Sequence, residues 1–145
     1  MIVPDVNLLL YAHIDTFPQH PTARAWWETL VREGTPVGLC EPVVFGFVRI
    51  STNPRVFTPA LSVSAAATLV RDWLSRPRIR WLVAGPDHPA LVLELLLEVG
   101  TASNLTTDAQ VAAYAMAHHA TVASCDTDFG RFSGVKSHNP LRQGR

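Results

Sequence analysis

The chain has 145 residues, of which 48% are hydrophobic and 17% are charged. This length predicts a single domain spanning residues 1–145, and the composition excludes an intrinsically disordered chain. No apolar run reaches the roughly 18 residues that a membrane-spanning helix needs, so we expect no membrane partner. Twelve basic residues balance twelve acidic ones, which argues against the strongly basic surface typical of many nucleic-acid-binding proteins.

The N-terminus and the cysteines predict a cytoplasmic protein. The first residues contain no basic region before Asp5, so we expect no signal peptide. Cys40 and Cys125 are too few for a disulfide framework. We expect both to be small core residues, close to each other at one sheet edge, because each directly precedes an acidic residue.

The first half of the chain alternates short apolar segments with segments of helical periodicity. Gly34 is placed to end the second helix, and Pro42 suits the first turn of the third, where its missing N–H costs nothing. In chain order the pattern predicts a strand at 2–4, helices at 7–12 and 21–33, a strand at 36–39 and a helix at 41–51.

The second half continues this alternation. Thr107 and Gln110 match a T-x-x-Q capping box, which predicts that Thr107 caps an Ala-rich helix. The pattern predicts a helix capped by Ser62 or Ser64 and ending near 75, a strand at 79–83, a helix at 86–99, a helix from 107 to about 118, and strands at 121–124 and 135–137. This alternation predicts a three-layer α/β/α sandwich around a mainly parallel sheet of four or five strands.

Four acidic residues come from separate stretches that this fold places at strand ends or helix starts. Asp5 follows the first strand, Glu41 the second and Asp126 the fourth, while Asp108 lies in the first turn of the Ala-rich helix. Ligands in open α/β sheets bind at the carboxyl ends of the strands. A single acid at such a position is explained by helix capping alone. Four together predict a shared site.

A cluster of carboxylates predicts a divalent cation. Like charges raise one another's pKa unless a cation neutralises them. Mg²⁺ or Mn²⁺ prefers oxygen ligands of this kind, and such an ion suits hydrolysis of a phosphodiester bond by metal-activated water. The six histidines show no zinc-ligand spacing, and the chain has neither a G-x-S-x-G elbow nor a P-loop.

The motifs, taken in order, resemble those of the PIN-domain endoribonucleases, and especially the VapC toxins of type II toxin–antitoxin systems. They are Asp5-x-Asn7, Glu41, Thr107-Asp108 and Ser124-x-Asp126-x-Asp128-Phe129. Residues 46–57 and the Asn139-Pro140-Leu141 ending resemble the mycobacterial branch of that family.

This resemblance implies a dimeric Mg²⁺-dependent endoribonuclease, with Mn²⁺ able to substitute, that is inhibited by a cognate VapB-type antitoxin. It implies that Asp5 and Asp108 are the principal metal ligands and that Glu41 serves a second metal or positions water. Either Asp126 or Asp128 would complete the site, and we rank Asp126 first because it is nearer the strand end. Asn7, Thr107 and Ser124 would be supporting polar groups.

Two alternatives stay open at this point. The chain could be a non-enzymatic α/β domain that binds RNA or a protein partner, or a housekeeping PIN-type nuclease without an antitoxin. For the neutral chain to hold RNA, the contacts must be local, and we expect arginines at the rim of the site to make them: Arg49, Arg55 or Arg131. A haloacid-dehalogenase-type phosphatase would require an acid where Asn7 stands.

Overall fold

The computed structural model describes residues 1–142, which form five strands and six α-helices. The strands are β1 (Ile2–Pro4), β2 (Val37–Leu39), β3 (Ile79–Trp81), β4 (Thr121–Ala123) and β5 (Lys136–His138). The helices are α1 (Val6–His13), α2 (His20–Glu33), α3 (Glu41–Ser51), α4 (Val63–Ser75), α5 (His88–Val99) and α6 (Leu105–Ala117), and a 3₁₀-helix follows at Thr127–Arg131.

The five strands form one parallel sheet in the order β3-β2-β1-β4-β5. Ile2 at the start of β1 is in register with Val37 of β2 on one side and Thr121 of β4 on the other. The predicted three-layer α/β fold with a mainly parallel sheet is therefore confirmed. Among residues 1–142, no helix combines the length and the apolar character needed to cross a membrane.

The strand order creates a switch point between β1 and β4. The chain leaves β1 toward β2 on one side and leaves β4 toward β5 on the other. Right-handed crossovers then place the helices that follow these two strands on opposite faces of the sheet, which opens a crevice at the strands' carboxyl ends. The structure thus locates its crevice where Asp5 and Asp126 leave the sheet.

The core beside α1 is a packed aromatic cluster that we call the His13 cluster: His13, Trp27, Phe47 and Trp73. Phe47 and Trp73 are fully buried, and Trp27 is 6% exposed. The His13 ring lies 4.9 Å from the Trp73 ring and 5.6 Å from the Trp27 ring, measured between centroids. Trp27 is accordingly a core residue.

The start of α6 differs from the prediction. The helix begins at Leu105 after Asn104, so Thr107 is its third residue and caps nothing. The amides of Leu105 and Thr106 donate instead to the carbonyls of Ala102 and Ser103, at 2.9 and 3.1 Å. Because this preceding turn already satisfies those amides, no side-chain cap is needed, and the capping-box prediction was wrong.

The other caps follow the local sequence. Ser62 caps α4 by accepting a hydrogen bond from the Ala65 amide at 3.0 Å. Gly34 ends α2 with a φ of 68°, and Gly100 ends α5 with a φ of 84°, a left-handed conformation that glycine adopts without steric cost.

Candidate active site

Asp5 sits at the junction of β1 and α1, where its side chain is held on both oxygens. Oδ1 accepts a hydrogen bond from the Val6 amide at 2.7 Å, which caps α1. Oδ2 accepts one from Ser124 Oγ at 2.8 Å. The backbone amide of Asp5 also donates to the Ala123 carbonyl across the switch point. With 4% exposure, Asp5 is a buried carboxyl with a fixed orientation.

Ser124 connects Asp5 to the acids that follow β4. Its Oγ donates to Asp5 and accepts from the Asp126 amide at 2.9 Å. Asp126 Oδ1 in turn accepts from the Asp128 amide at 2.8 Å and caps the 3₁₀-helix. A continuous chain of hydrogen bonds therefore sets the relative positions of Asp5, Asp126 and Asp128.

Asp108 completes a group of three acids from two elements. One carboxylate oxygen from each of Asp108, Asp126 and Asp128 lies within 4.8 Å of the others. Asp108 is in the fourth position of α6, so the helix start that the sequence placed wrongly still delivers this side chain to the edge. The structure brings both candidates for the fourth acid, Asp126 and Asp128, to Asp108. We call these three acids together with Asp5 the carboxylate edge.

Burial and mutual repulsion make the carboxylate edge unfavourable without a counter-charge. Partial burial, together with the negative charges of Asp5, Asp126 and Asp128, raises the pKa of Asp108 to about 7. Burial and the charge of Asp126 also raise the pKa of Asp5, although the hydrogen bonds from Ser124 and Val6 oppose this shift. These oxygens are hard donors that fit Mg²⁺ or Mn²⁺, and a divalent ion would relieve the repulsion.

Glu41 is not part of the group of three acids whose oxygens lie within 4.8 Å of one another. It is exposed at the first position of α3 and lines a cavity of about 530 Å³. Its charge reaches Cys40, whose pKa is raised to about 12, mainly because the thiol is buried. Among the predicted supporting residues, Asn7 is half-buried in the first turn of α1, and Thr107 is exposed and lines the same cavity.

The cavity beside Glu41 is formed by residue stripes on two helices, and we call it the α3–α6 groove. The α3 stripe has a spacing of four residues and the α6 stripe spacings of three and four, so each faces one way. The stripes are Glu41, Phe45 and Arg49 of α3, and Thr107, Gln110 and Tyr114 of α6.

His88 at the start of α5 also lines the α3–α6 groove, and its ring lies 4.4 Å from that of Tyr114. Burial lowers the pKa of His88. Burial raises the pKa of Tyr114, and the charges of Cys40 and Glu41 raise it further. Neither His88 nor Tyr114 was predicted from the sequence as a site residue. The spacing of Thr107, Gln110 and Tyr114 along one helix face was the available indication.

The arginines expected at the rim occupy different positions. Arg49 lines the α3–α6 groove. Arg131 approaches the carboxylate edge, with Nη1 3.8 Å from Asp128 Oδ1, but both side chains are nearly half exposed, so the pair is weak. Arg55 is exposed in the loop before α4. Cys40 and Cys125 are both free thiols, and Cys125 Sγ lies 3.4 Å from Asn139 Oδ1.

Comparison with known proteins decides the family. Residues 2–135 match the PIN domain. The chain is 50% identical over 143 residues to ribonuclease VapC33 of Mycobacterium tuberculosis, covering 99% of this chain and all of that protein. The chain belongs to the PIN-domain VapC family. Ribonuclease VapC37 of the same organism is 36% identical over 140 residues, covering 97% of both chains.

Solved structures show the same PIN-like fold at low sequence identity. Mycobacterium tuberculosis VapC20, described as a sarcin-ricin loop cleaving toxin, matches with a TM-score of 0.69 and 16% identity, covering 94% of this chain and 99% of that one. VapBC2 from Rickettsia felis, bound to a DNA fragment from its promoter, matches with a TM-score of 0.67 and 18% identity, covering 96% and 98%. The family resemblance predicted from the motifs is confirmed.

Proposed function

We propose that this VapC-family chain is a metal-dependent endoribonuclease, formed by one PIN-like domain, that hydrolyses phosphodiester bonds at the carboxylate edge. The observation that carries the proposal is the approach of Asp108, Asp126 and Asp128 to within 4.8 Å of one another. Three carboxylates held this close without a cation would be unstable as a group, so their proximity is best explained by binding of a divalent ion.

Asp5, Asp108 and Asp126 would hold Mg²⁺, or Mn²⁺ in its place, with Asp128 beside them. The ion would supply a water of lowered pKa and positive charge against the leaving oxygen. Ser124 holds Asp5 and Asp126 in a fixed relation through hydrogen bonds of 2.8 and 2.9 Å. That fixed relation keeps two carboxylates oriented into the crevice before substrate arrives.

Glu41 is the catalytic acid that is free to act on substrate or water. It is exposed at the first position of α3, lines the α3–α6 groove and makes no ion pair among residues 1–142. A carboxylate in this position can accept a proton from the attacking water or orient it. Asn7 and Thr107 add polar groups at the first turns of α1 and α6, and Thr107 also lines the α3–α6 groove.

The same proposal includes a role as the toxin of a toxin–antitoxin pair in the cytoplasm, with RNA as substrate and a VapB-type antitoxin as inhibitor. Full-length identity of 50% to a VapC ribonuclease supports this role. The fold neighbours include VapBC complexes from Rickettsia felis and Salmonella typhimurium. The discriminating observation is an adjacent gene for a small DNA-binding protein whose product blocks cleavage when co-purified. A housekeeping nuclease would lack such a neighbouring gene.

A homodimer is also part of the proposal. Of the seven Leu and Val residues of α5, only Leu95 is buried, while Leu93 and Leu97 are 60% and 79% exposed. An exposed apolar helix face of this kind is typical of a surface that a second copy covers. Light scattering should show a dimer for the wild type and a monomer for Leu97→Glu. A wild-type monomer would contradict this part of the proposal.

The nuclease proposal is tested by incubating the purified chain with total cellular RNA, with Mg²⁺, with Mn²⁺ or with excess EDTA. Cleavage should require the metal. Asp5→Asn and Asp108→Asn should each lower the rate by about a thousandfold, since each removes several kcal/mol of charge stabilisation. Asp15→Asn, which neutralises an exposed acid remote from the crevice, is the matched control and should cut normally.

Two results would reject the proposed metal-dependent nuclease activity. Full cleavage in EDTA would exclude metal dependence. RNA binding without cleavage under every metal condition would favour the non-enzymatic alternative instead.

A further inference from the structure

The α3–α6 groove and the carboxylate edge share the start of α6. Thr107, which lines the groove, directly precedes Asp108 in that helix, and Glu41 lines the groove from the first position of α3. Glu41 and Arg49 are eight residues apart on α3, which places Arg49 roughly 12 Å further along the helix axis. A strand of RNA with its scissile phosphate at the acids would therefore have room to continue along this groove.

The chemistry of the groove lining matches a nucleotide. Phe45, which is 58% exposed, and the half-buried ring of His88 offer aromatic surface, on which bases stack irrespective of sequence. Tyr114 is only 6% exposed and packs against the His88 ring at 4.4 Å. The amide of Gln110 can both donate to and accept from the edge of a base. A cavity of about 530 Å³ is in the size range of small-molecule sites.

Arg49 supplies the positive charge that a flanking phosphate would need. Among residues 1–142 it forms no ion pair within 4 Å, in contrast to Arg24, Arg76 and Arg131. Helical side chains lean toward the helix N-terminus, which in α3 is the end that carries Glu41. A guanidinium in this position can contact phosphate through two parallel hydrogen bonds.

We propose that the α3–α6 groove binds the single-stranded RNA nucleotide that flanks the scissile phosphate, with Gln110 contacting its base and Arg49 contacting its phosphate. This inference rests on the proposed nuclease function and adds to it the residues that select the cut site. Gln110 is then a specificity residue, whereas Arg49 contributes affinity that is independent of sequence.

The first test measures binding without cleavage. The full chain in EDTA is titrated into fluorescein-labelled homopolymers of A, C, G and U, followed by anisotropy at several salt concentrations. Arg49→Ala should weaken binding of all four by about tenfold and lower the salt slope by about one. Gln110→Ala should instead reduce the ratio between the best-bound and worst-bound base by about two- to tenfold.

Matched controls are available on distant surfaces. Arg71→Ala removes an exposed guanidinium from α4, and Gln19→Ala removes an exposed amide before α2. Both should bind like the wild type. If Arg49→Ala and Gln110→Ala also bind like the wild type, the groove does not hold RNA and the proposal is overturned. Circular dichroism of each variant verifies that the fold is retained.

The second test maps cut sites on total RNA with Mg²⁺. Gln110→Ala should still cleave, with a weaker base preference at one position beside the cut. Altered homopolymer binding without any cleavage by the wild type would reject the nuclease and leave the groove in place. Cleavage that depends on Asp108 but keeps an unchanged cut-site preference in Gln110→Ala would reject the specificity role and leave the nuclease in place.

Discussion

At the carboxylate edge, three acids bring oxygens within 4.8 Å of one another, with a fourth, Asp5, buried beside them. In the His13 cluster, by contrast, both polar atoms of the histidine ring have partners. Trp73 Nε1 donates to His13 Nε2 at 3.0 Å, and His13 Nδ1 lies 2.8 Å from the Leu9 carbonyl oxygen. Because the tryptophan N–H can only donate, Nε2 must accept and Nδ1 must carry the proton.

The two regions therefore contribute to stability with opposite signs. The His13 cluster buries large rings and satisfies its polar atoms, so it stabilises the fold. The carboxylate edge gathers like charges, so it destabilises the metal-free fold and gains from a cation. This difference distinguishes residues kept for stability from residues kept for function, and substitutions in each region can test it.

The largest expected effect is a loss of stability on substitution in the His13 cluster. Trp73→Ala should lower the free energy of unfolding by about 3–5 kcal/mol, because it leaves a cavity among buried rings and an unpartnered His13 Nε2. Urea unfolding followed by circular dichroism measures this change. Val63→Ala, at a position 72% exposed, is the control and should change stability by less than about 0.5 kcal/mol. Equal losses in the two variants would contradict the assignment of the core.

Ser124→Ala tests the hydrogen-bond chain of the carboxylate edge. Losing the contacts to Asp5 and Asp126 should lower metal affinity or the cleavage rate by about 10- to 100-fold, since these carboxylates would no longer be oriented. Isothermal titration with Mn²⁺ and the RNA assay measure the two effects separately. Ser75→Ala, whose hydroxyl bonds only the Asp72 carbonyl on the surface, should match the wild type. Unchanged Mn²⁺ affinity together with unchanged cleavage would dismiss the positioning role of Ser124.

Asp108→Asn should stabilise the metal-free protein while it slows cleavage by about a thousandfold. The pKa of Asp108 is raised to about 7 in the folded state. Between about pH 4 and 7, this group is therefore ionised in the unfolded state but stays largely protonated in the folded state. Removing the charge should raise the free energy of unfolding by about 1–2 kcal/mol at neutral pH, a value reduced because solvent screens a partly exposed group. Thermal unfolding in EDTA at neutral pH measures it. A variant less stable than the wild type would show that repulsion does not dominate this edge.

The smallest expected effect is the pH dependence of the His13 cluster. Burial lowers the pKa of His13, helped by the charges of Arg24 and His20 and opposed by the Leu9 carbonyl and Asp72. The contribution of neutral His13 to the free energy of unfolding is therefore complete above the unfolded pKa of about 6.5. It is lost as the pH falls through the folded pKa. In the Asp108→Asn background, the urea midpoint should drop between about pH 7 and 5. It should drop less when His13→Gln is added to that background. Parallel curves for the two proteins would remove His13 as the cause.

Local pattern predicted most of the fold. Strand and helix positions lie within about three residues of those observed, because periodicity and caps such as Gly34 act over a few neighbouring residues. The start of α6 was misplaced because a turn that bonds the amides of Leu105 and Thr106 to the carbonyls of Ala102 and Ser103 starts the helix at Leu105, which puts Thr107 inside the first turn. A capping motif read from adjacent residues cannot reveal that the preceding backbone already forms the helix start.

The sequence by itself determined the family, the parallel fold and the acids that follow its strands, since strand ends and helix starts can be read locally. Only the tertiary structure decided which acids meet. The order β2-β1-β4 set Asp5 between its neighbours, and packing brought Asp108 to Asp126 and Asp128 while leaving Glu41 in the groove. Distances between side chains on different elements depend on how whole strands and helices pack, which no local pattern encodes.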